Sequence, residues 1–84
     1  MYFLATGRIL RPEETAAHMA EEVREFDRLR AEGFIQEVFF LQPGPGVVNV
    51  VEAASREDAE AKLAQLPFVS LGLMEFELAE VTRH

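Results

Sequence analysis

Two side chains that can move a proton, His18 and Glu22, lie four residues apart in a stretch with helical periodicity. This spacing places them one turn apart on the same side of a helix. A carboxylate that steadies an imidazole makes a general base, which a cofactor-free isomerase or cyclase requires. The alternative is a partly exposed pair at the edge of the helix. Glu22 lies at the margin of the apolar stripe of this helix and His18 lies further round, which favours that alternative.

Glu37 is a third candidate base. It lies between Ile35 and Phe39 in a predicted strand, and strict alternation places it on their face of the sheet. If that face lined a dry interior, Glu37 would be suited to acid–base chemistry. At an edge strand it would instead guard against aggregation, and the pattern favours this second interpretation.

A group of polar residues on the strands is suited to binding a substrate. Arg8 and Thr6 are predicted on the outward face of the first strand, where they would bind a carboxylate. Tyr2 and Asn49 would supply hydrogen bonds, and Phe39 would supply an apolar contact. The alternative for Arg8 is an ion pair with a glutamate of the last strand or of a partner chain. The alternative for Asn49 is a hydrogen bond to neighbouring backbone.

The sequence offers no pattern typical of a metal or cofactor site. Its two histidines, His18 and His84, lie at distant positions, and it contains no cysteine. Gly44-Pro45-Gly46 is a turn rather than a phosphate loop, because proline lacks the N–H that a phosphate would need. We therefore expect no metal and no cofactor.

Composition restricts the classes of partner. The 84 residues are enough for one domain, 1–84, and 49% of them are hydrophobic, which excludes disorder. The net charge of −7 repels phosphate backbones and anionic lipid, so we expect no nucleic-acid partner. No apolar run is long enough to span a membrane. The lack of cysteine fits a cytoplasmic protein.

Six elements must position these residues. The predicted strands are 2–10, 34–41, 47–53 and 73–81, and the predicted helices are 12–32 and 56–66. The first helix carries an apolar stripe at the spacing of three and four residues, which we expect to face the core: Ala16, Met19, Val23, Phe26 and Leu29. The order βαββαβ predicts an α+β, ferredoxin-like fold with two helices on one face of a four-stranded antiparallel sheet.

The second predicted strand, Phe34 to Leu41, carries large apolar side chains on both faces. Two helices cover only one face of a sheet, so the other face needs a second cover. We expect this open face to include Leu4, Phe39 and Val51, or their neighbours if the register differs by one. The prediction is a homodimer, with a small-molecule ligand in a cavity.

Short motifs resemble two branches of the dimeric α/β-barrel superfamily. Leu29-Arg30-Ala31-Glu32-Gly33, Leu63-Ala64-Gln65-Leu66-Pro67 and the opening Met1-Tyr2-Phe3 resemble muconolactone isomerases. Leu66-Pro67-Phe68-Val69-Ser70-Leu71-Gly72-Leu73 resembles the YciI-like branch. The resemblance implies a dimeric barrel, allows a larger homo-oligomer, and aligns Glu22 with an acidic position of the isomerases.

The resemblance weakens at the residues that do chemistry. Leu4 and Thr6 stand where the isomerases tend to have His and Lys, and neither can carry a proton. His18 matches a histidine of the YciI-like branch, but Leu66 replaces the aspartate that accompanies it. The known proton-transfer groups of each branch are therefore incomplete here.

Three functions remain open. A cofactor-independent isomerase or cyclase acting on an acidic or aromatic metabolite predicts a sizeable cavity with at least two converging ionisable groups. A non-catalytic binding protein predicts a cavity lined by apolar residues such as Met19, Phe26 and Phe39. An oligomeric accessory protein without a ligand predicts a filled interior.

Overall fold

A computed structural model describes all residues 1–84. The strands are β1 (Tyr2–Ile9), β2 (Ile35–Phe40), β3 (Val47–Glu52) and β4 (Met74–Val81). The helices are α1 (Pro12–Thr15), α2 (Met19–Ala31), α3 (Arg56–Leu63) and α4 (Pro67–Ser70), and a 3₁₀ turn, Ala16–His18, joins α1 to α2. The strands form one antiparallel sheet in the order β2-β3-β1-β4 with the helices on one face, which confirms the ferredoxin-like prediction.

The register of the sheet decides which side chains face the helices. Residues directly opposite in an antiparallel pair share a face. Phe3, Ala5 and Gly7 are the buried residues of β1 and lie on the face that carries the helices. Ala5 lies opposite Asn49, and Phe3 lies opposite Val51. Val51 therefore belongs to the helix face, and the prediction that it lies on the open face is wrong by one residue.

A bulge at Gln36 changes the alternation of β2. Ile35 pairs with Val51, yet Glu37 pairs with Val50, so two residues of β2 oppose one of β3. An extra residue of this kind turns the following side chains to the other face. Ile35 consequently faces the helices, whereas Glu37 and Phe39 face away from them. The prediction that Glu37 shares the face of Ile35 is wrong for this reason.

The first predicted helix is interrupted. The 3₁₀ turn separates α1 from α2, and neither α1 nor the turn buries a residue. A 3₁₀ turn winds three residues per turn, so it changes the phase of the helix that follows. Of the predicted stripe, Leu29 is fully buried, but Met19 and Val23 are 45% and 49% exposed. Glu22, one turn before Phe26, is the buried residue at this level of α2.

The buried side chains form two clusters. The larger joins the sheet to α2 and α3: Phe3, Ala5, Leu29, Phe34, Ile35, Val51, Ala53, Ala59, Leu63 and Leu66. The smaller, formed by Phe68, Leu73 and Met74, lies where α4 meets β4. The Ser55 hydroxyl caps α3 by accepting a hydrogen bond from the Asp58 N–H at 3.0 Å, as serine at this position of a helix commonly does. No helix of the chain is both long and apolar enough to cross a membrane.

Two residues of the predicted stripe should respond differently to truncation. Leu29→Ala leaves a void in the larger cluster, so the free energy of unfolding should fall by about 2 to 5 kcal/mol. Val23→Ala removes a side chain that is half exposed, and the loss should stay below about 1 kcal/mol. Urea denaturation followed by circular dichroism measures both. Equal losses would contradict the observed orientation of α2.

Candidate functional site

A cavity of about 560 Å³ lies between α2 and the helix face of the sheet. Met19, Val23 and Phe26 line it from α2, while Phe68 lines it from α4. Val38, Phe40, Val47, Met74 and Phe76 line it from the sheet. A space of this size on the single chain is what the two hypotheses with a ligand predict.

The cavity lies between the two clusters of buried side chains. It is lined by Leu66 of the larger cluster and by Phe68 and Met74 of the smaller one. Gly7 lies in the sheet next to it, and a Cβ there would stand 2.7 Å from Phe76 Cε1 and 3.0 Å from Val47 Cγ1. A residue without a side chain is therefore needed for these lining residues to lie over β1.

Glu22 is the only buried ionisable residue of the chain, at 8% exposure. Its Oε1 accepts a hydrogen bond of 2.9 Å from the backbone N–H of Phe68, the second residue of α4. Burial raises the pKa of Glu22 because it disfavours the charged form, and the Phe68 N–H opposes this in part. The result is a carboxyl group at the wall of an apolar cavity with a pKa moved towards neutrality.

Two further charged groups, Asp27 and Arg30, also line the cavity, and both are exposed. Arg30 has no carboxylate within 4.0 Å of its guanidinium, whereas nearby Arg28 pairs with Glu25 and Glu32. An exposed arginine without an ion pair retains its full set of donors. Arg30 is therefore the group at this cavity best suited to meet an anion.

His18 and Glu22 do not form the predicted pair. His18 is half-buried at the residue preceding α2, with non-helical backbone angles. It is not among the residues that line the cavity, and no hydrogen bond joins it to Glu22. The interruption of the helix at 16–18 removes the regular one-turn spacing on which that prediction depended.

The predicted residues of the open face lie away from the cavity. The sheet register puts Tyr2, Thr6 and Arg8 on the face opposite the helices, together with Glu37 and Phe39. Arg8 forms an ion pair with Glu75 of β4, and both side chains are largely exposed. The Arg83 guanidinium lies over the Tyr2 ring, 4.9 Å from its centroid. The structural alternative for Arg8, a glutamate of the last strand, is the one observed.

Asn49 lies on the other face from Arg8 and Thr6. It is fully buried opposite Ala5, and neither its amide nitrogen nor its amide oxygen has a hydrogen-bond partner. Its neighbours on the same face, Val38 and Val47, line the cavity. The prediction that Asn49 joins Arg8 around one ligand is therefore wrong, since the register separates them.

The sequence interpretation missed Arg30 and Asp27. Arg30 follows Phe26 by four residues and therefore lies on the side of α2 that lines the cavity. The helical spacing in the sequence could have identified it. No group of three His, Cys, Asp or Glu side chains converges as a metal site would require.

The raised pKa of Glu22 has a consequence for stability. A carboxyl group whose pKa is raised by folding stabilises the folded state below its unfolded pKa of about 4.3, and this contribution is lost as pH rises through the raised value. Glu22→Gln keeps an oxygen acceptor for the Phe68 N–H and cannot ionise. The free energy of unfolding of Glu22→Gln, relative to that of the wild type, should therefore increase when the pH is raised from about 4 to about 7.5.

Urea denaturation at both pH values measures this gain. Glu21→Gln is the matched control, because Glu21 is exposed on the same helix and its replacement removes the same charge. A difference between Glu22→Gln and wild type that is the same at both pH values would contradict the raised pKa.

The fold and cavity can be compared with known proteins. No protein family description matches the sequence, and no curated protein matches it as a relative. Among solved structures, muconolactone isomerase matches with a TM-score of 0.80 at 22% identity, over 100% of this chain and 91% of that one. A structural-genomics protein from Agrobacterium tumefaciens matches with a TM-score of 0.50 at 15% identity, over 99% and 95%.

These identities are low, so the likeness concerns the fold. It extends over the whole chain, including the segments on which the sequence resemblance rested. The chain therefore has the ferredoxin-like fold of muconolactone isomerase.

Proposed function

We propose that the protein is a cofactor-independent isomerase or cyclase that acts on an acidic or aromatic small molecule in the cavity beside α2. Glu22 is the general base. The observation that carries the proposal is a lone buried carboxyl group, with its pKa raised by burial, at the wall of an otherwise apolar cavity. Groups perturbed in this way are typical of acid–base sites.

The two oxygens of Glu22 are suited to different tasks. Oε1 is held by the Phe68 N–H at 2.9 Å, which orients the carboxyl group. Oε2 has no hydrogen-bond partner and is not among the buried unpaired atoms, so it is accessible. In the proposed step, Oε2 takes a proton from a carbon next to a carbonyl group. The protonated carboxyl group exchanges its proton with solvent at the accessible Oε2 and then donates a proton to another carbon of the same substrate, which completes an isomerisation without net gain or loss.

Arg30 is the proposed anchor for the acidic group of the substrate. It lines the cavity and lacks an ion pair, in contrast to Arg8, which is bound to Glu75 on the opposite face. His18 precedes α2 and forms no hydrogen bond to Glu22. We therefore expect catalysis to depend on Glu22 and not on His18.

A second candidate function is non-catalytic ligand binding. It is supported by the absence of a second buried acid or base: Asp27 and Arg30 are exposed, and Glu22 is alone inside. Under this proposal Glu22 contributes a polar contact and no proton transfer. The two candidates differ in turnover and not in binding.

The open face of the sheet is the proposed homodimer interface. Its centre is formed by Leu4, Val48 and Val50, which are only half-buried in the single chain. Phe39 adds a side chain that is 56% exposed. Apolar surface of this kind marks interfaces. Pairing would complete a dimeric barrel and would leave the cavity, on the other face, open to ligand.

Hydrogen exchange tests the proposed proton transfer. Unsaturated lactone acids, muconolactone first among them, should exchange a hydrogen next to the carbonyl for deuterium when the protein is present in D₂O. Glu22→Gln should lower the exchange rate by about 100-fold or more, because the amide cannot take a proton. Proton NMR of the substrate measures the rate.

His18→Gln is the matched control and should retain exchange within about threefold of wild type. Full exchange by Glu22→Gln would contradict its role as base. Binding of these acids without any exchange would contradict catalysis and support the second candidate.

Sedimentation velocity tests the interface. The wild type should sediment at twice the chain mass of 9.5 kDa. Leu4→Glu places a charge at the centre of the open face and should yield the single chain, since the buried carboxylate would be unpaired. Leu71→Glu, at a position 50% exposed and outside the sheet, should remain paired. A wild type that sediments as a single chain would contradict the proposal.

A further inference from the structure

We propose that the ligand of this cavity is an elongated amphipathic monoanion, with an apolar body about the size of a ten-carbon chain or two to three fused rings. Its anionic group lies at Arg30, and its body lies inside against Glu22. This inference rests on the cavity named in the proposed function and adds the class of its ligand.

The size of the cavity argues for a large ligand. Cavities of roughly 300 to 1,000 Å³ enclose most of a drug-sized molecule, and this one measures about 560 Å³. A compact acid of six to eight heavy atoms would leave most of the lining without contact, which forfeits the packing that a filled cavity supplies.

The lining argues for an apolar body. Eleven of the sixteen lining residues are hydrophobic, so a polar body would lose its hydration without gaining hydrogen bonds. Three lining residues also remain 45 to 74% exposed: Met19, Val23 and Phe40. A ligand that covers them removes apolar surface from water, which favours binding in proportion to the area covered.

The charges argue for an anionic head at the opening. The ionisable groups that line the cavity are Glu22, Asp27 and Arg30, and only Glu22 is buried. A cationic head beside Glu22 would lower the pKa of that carboxyl group and weaken it as a base. An anionic head must stay away from Glu22, and Arg30 is the cavity's one cation and has no ion pair. Asp27 lies one turn before Arg30 and would repel an anion that approached from its side.

Displacement of a fluorescent probe tests the inference. N-Phenylnaphthylamine, an uncharged bicyclic dye, is the reporter, and straight-chain carboxylates from butanoate to decanoate displace it. Affinity should rise about fourfold for each added CH₂ up to about ten carbons, because each is buried. Succinate should not displace the dye. A series that stops rising at five or six carbons would overturn the proposed size.

The head group is tested with chains of equal length. Decanoate should displace the dye at about three- to tenfold lower concentration than decanol, and decylammonium should be the weakest. Arg30→Met should abolish the preference for decanoate over decanol. Arg24→Met is the matched control, since Arg24 is exposed on the same helix, lacks an ion pair and does not line the cavity. Stronger displacement by decylammonium, or a preference that survives in Arg30→Met, would overturn the inference.

The location is tested with exposed positions. Val23→Trp, at the cavity, should weaken dye and decanoate binding at least fivefold, whereas Leu71→Trp, exposed to the same degree elsewhere, should not. Equal effects would overturn the placement. These experiments measure binding and not turnover. If decanoate binds but no lactone acid exchanges hydrogen, only the catalytic role of Glu22 is refuted. If small lactone acids exchange hydrogen but decanoate does not bind, only the proposed ligand class is refuted.

Discussion

The hydrogen bond from the Phe68 N–H to Glu22 is the contact on which the site depends. It joins α2 to α4 beside the cavity, and it holds a carboxyl group in a largely buried position. Burial and this donor move the pKa of Glu22 in opposite directions, with burial the larger effect. A buried carboxyl group destabilises a small domain relative to an apolar residue. This cost is the reason for proposing a functional role for Glu22, because perturbed groups are common at functional sites.

The cavity exists because the helices cover the helix face of the sheet only in part. The helix face of the sheet is packed against α2 and α3 at one end, around Phe3 and Leu29, and against α4 at the other, around Phe68. Between these clusters α2 begins after a 3₁₀ turn that buries nothing, so the sheet near Gly7 and Val47 is left without a packed helix above it. A short chain thus keeps room for a ligand at the expense of core volume.

The likeness to muconolactone isomerase concerns the fold and not the ionisable groups of the cavity. The fold is shared over the whole chain at 22% identity. Leu4 and Thr6, the two positions at which the sequence resemblance led us to look for proton-transfer groups, are placed by the register on the open face. The ionisable groups of this chain's cavity come instead from α2, at Glu22, Asp27 and Arg30. One scaffold can support different chemistry because its sites are set by a few side chains.

The order and type of the four strands and the helix cap at Ser55 were readable from residue types, because alternation, turn residues and caps are local properties. Glu22 could also be identified from the sequence as one of the candidate bases. Its selection over His18 and Glu37 could not be predicted, since it depended on a bulge at Gln36 and on the phase of α2 after the 3₁₀ turn. Both are settled by packing between elements distant in the chain, and local periodicity carries no information about them.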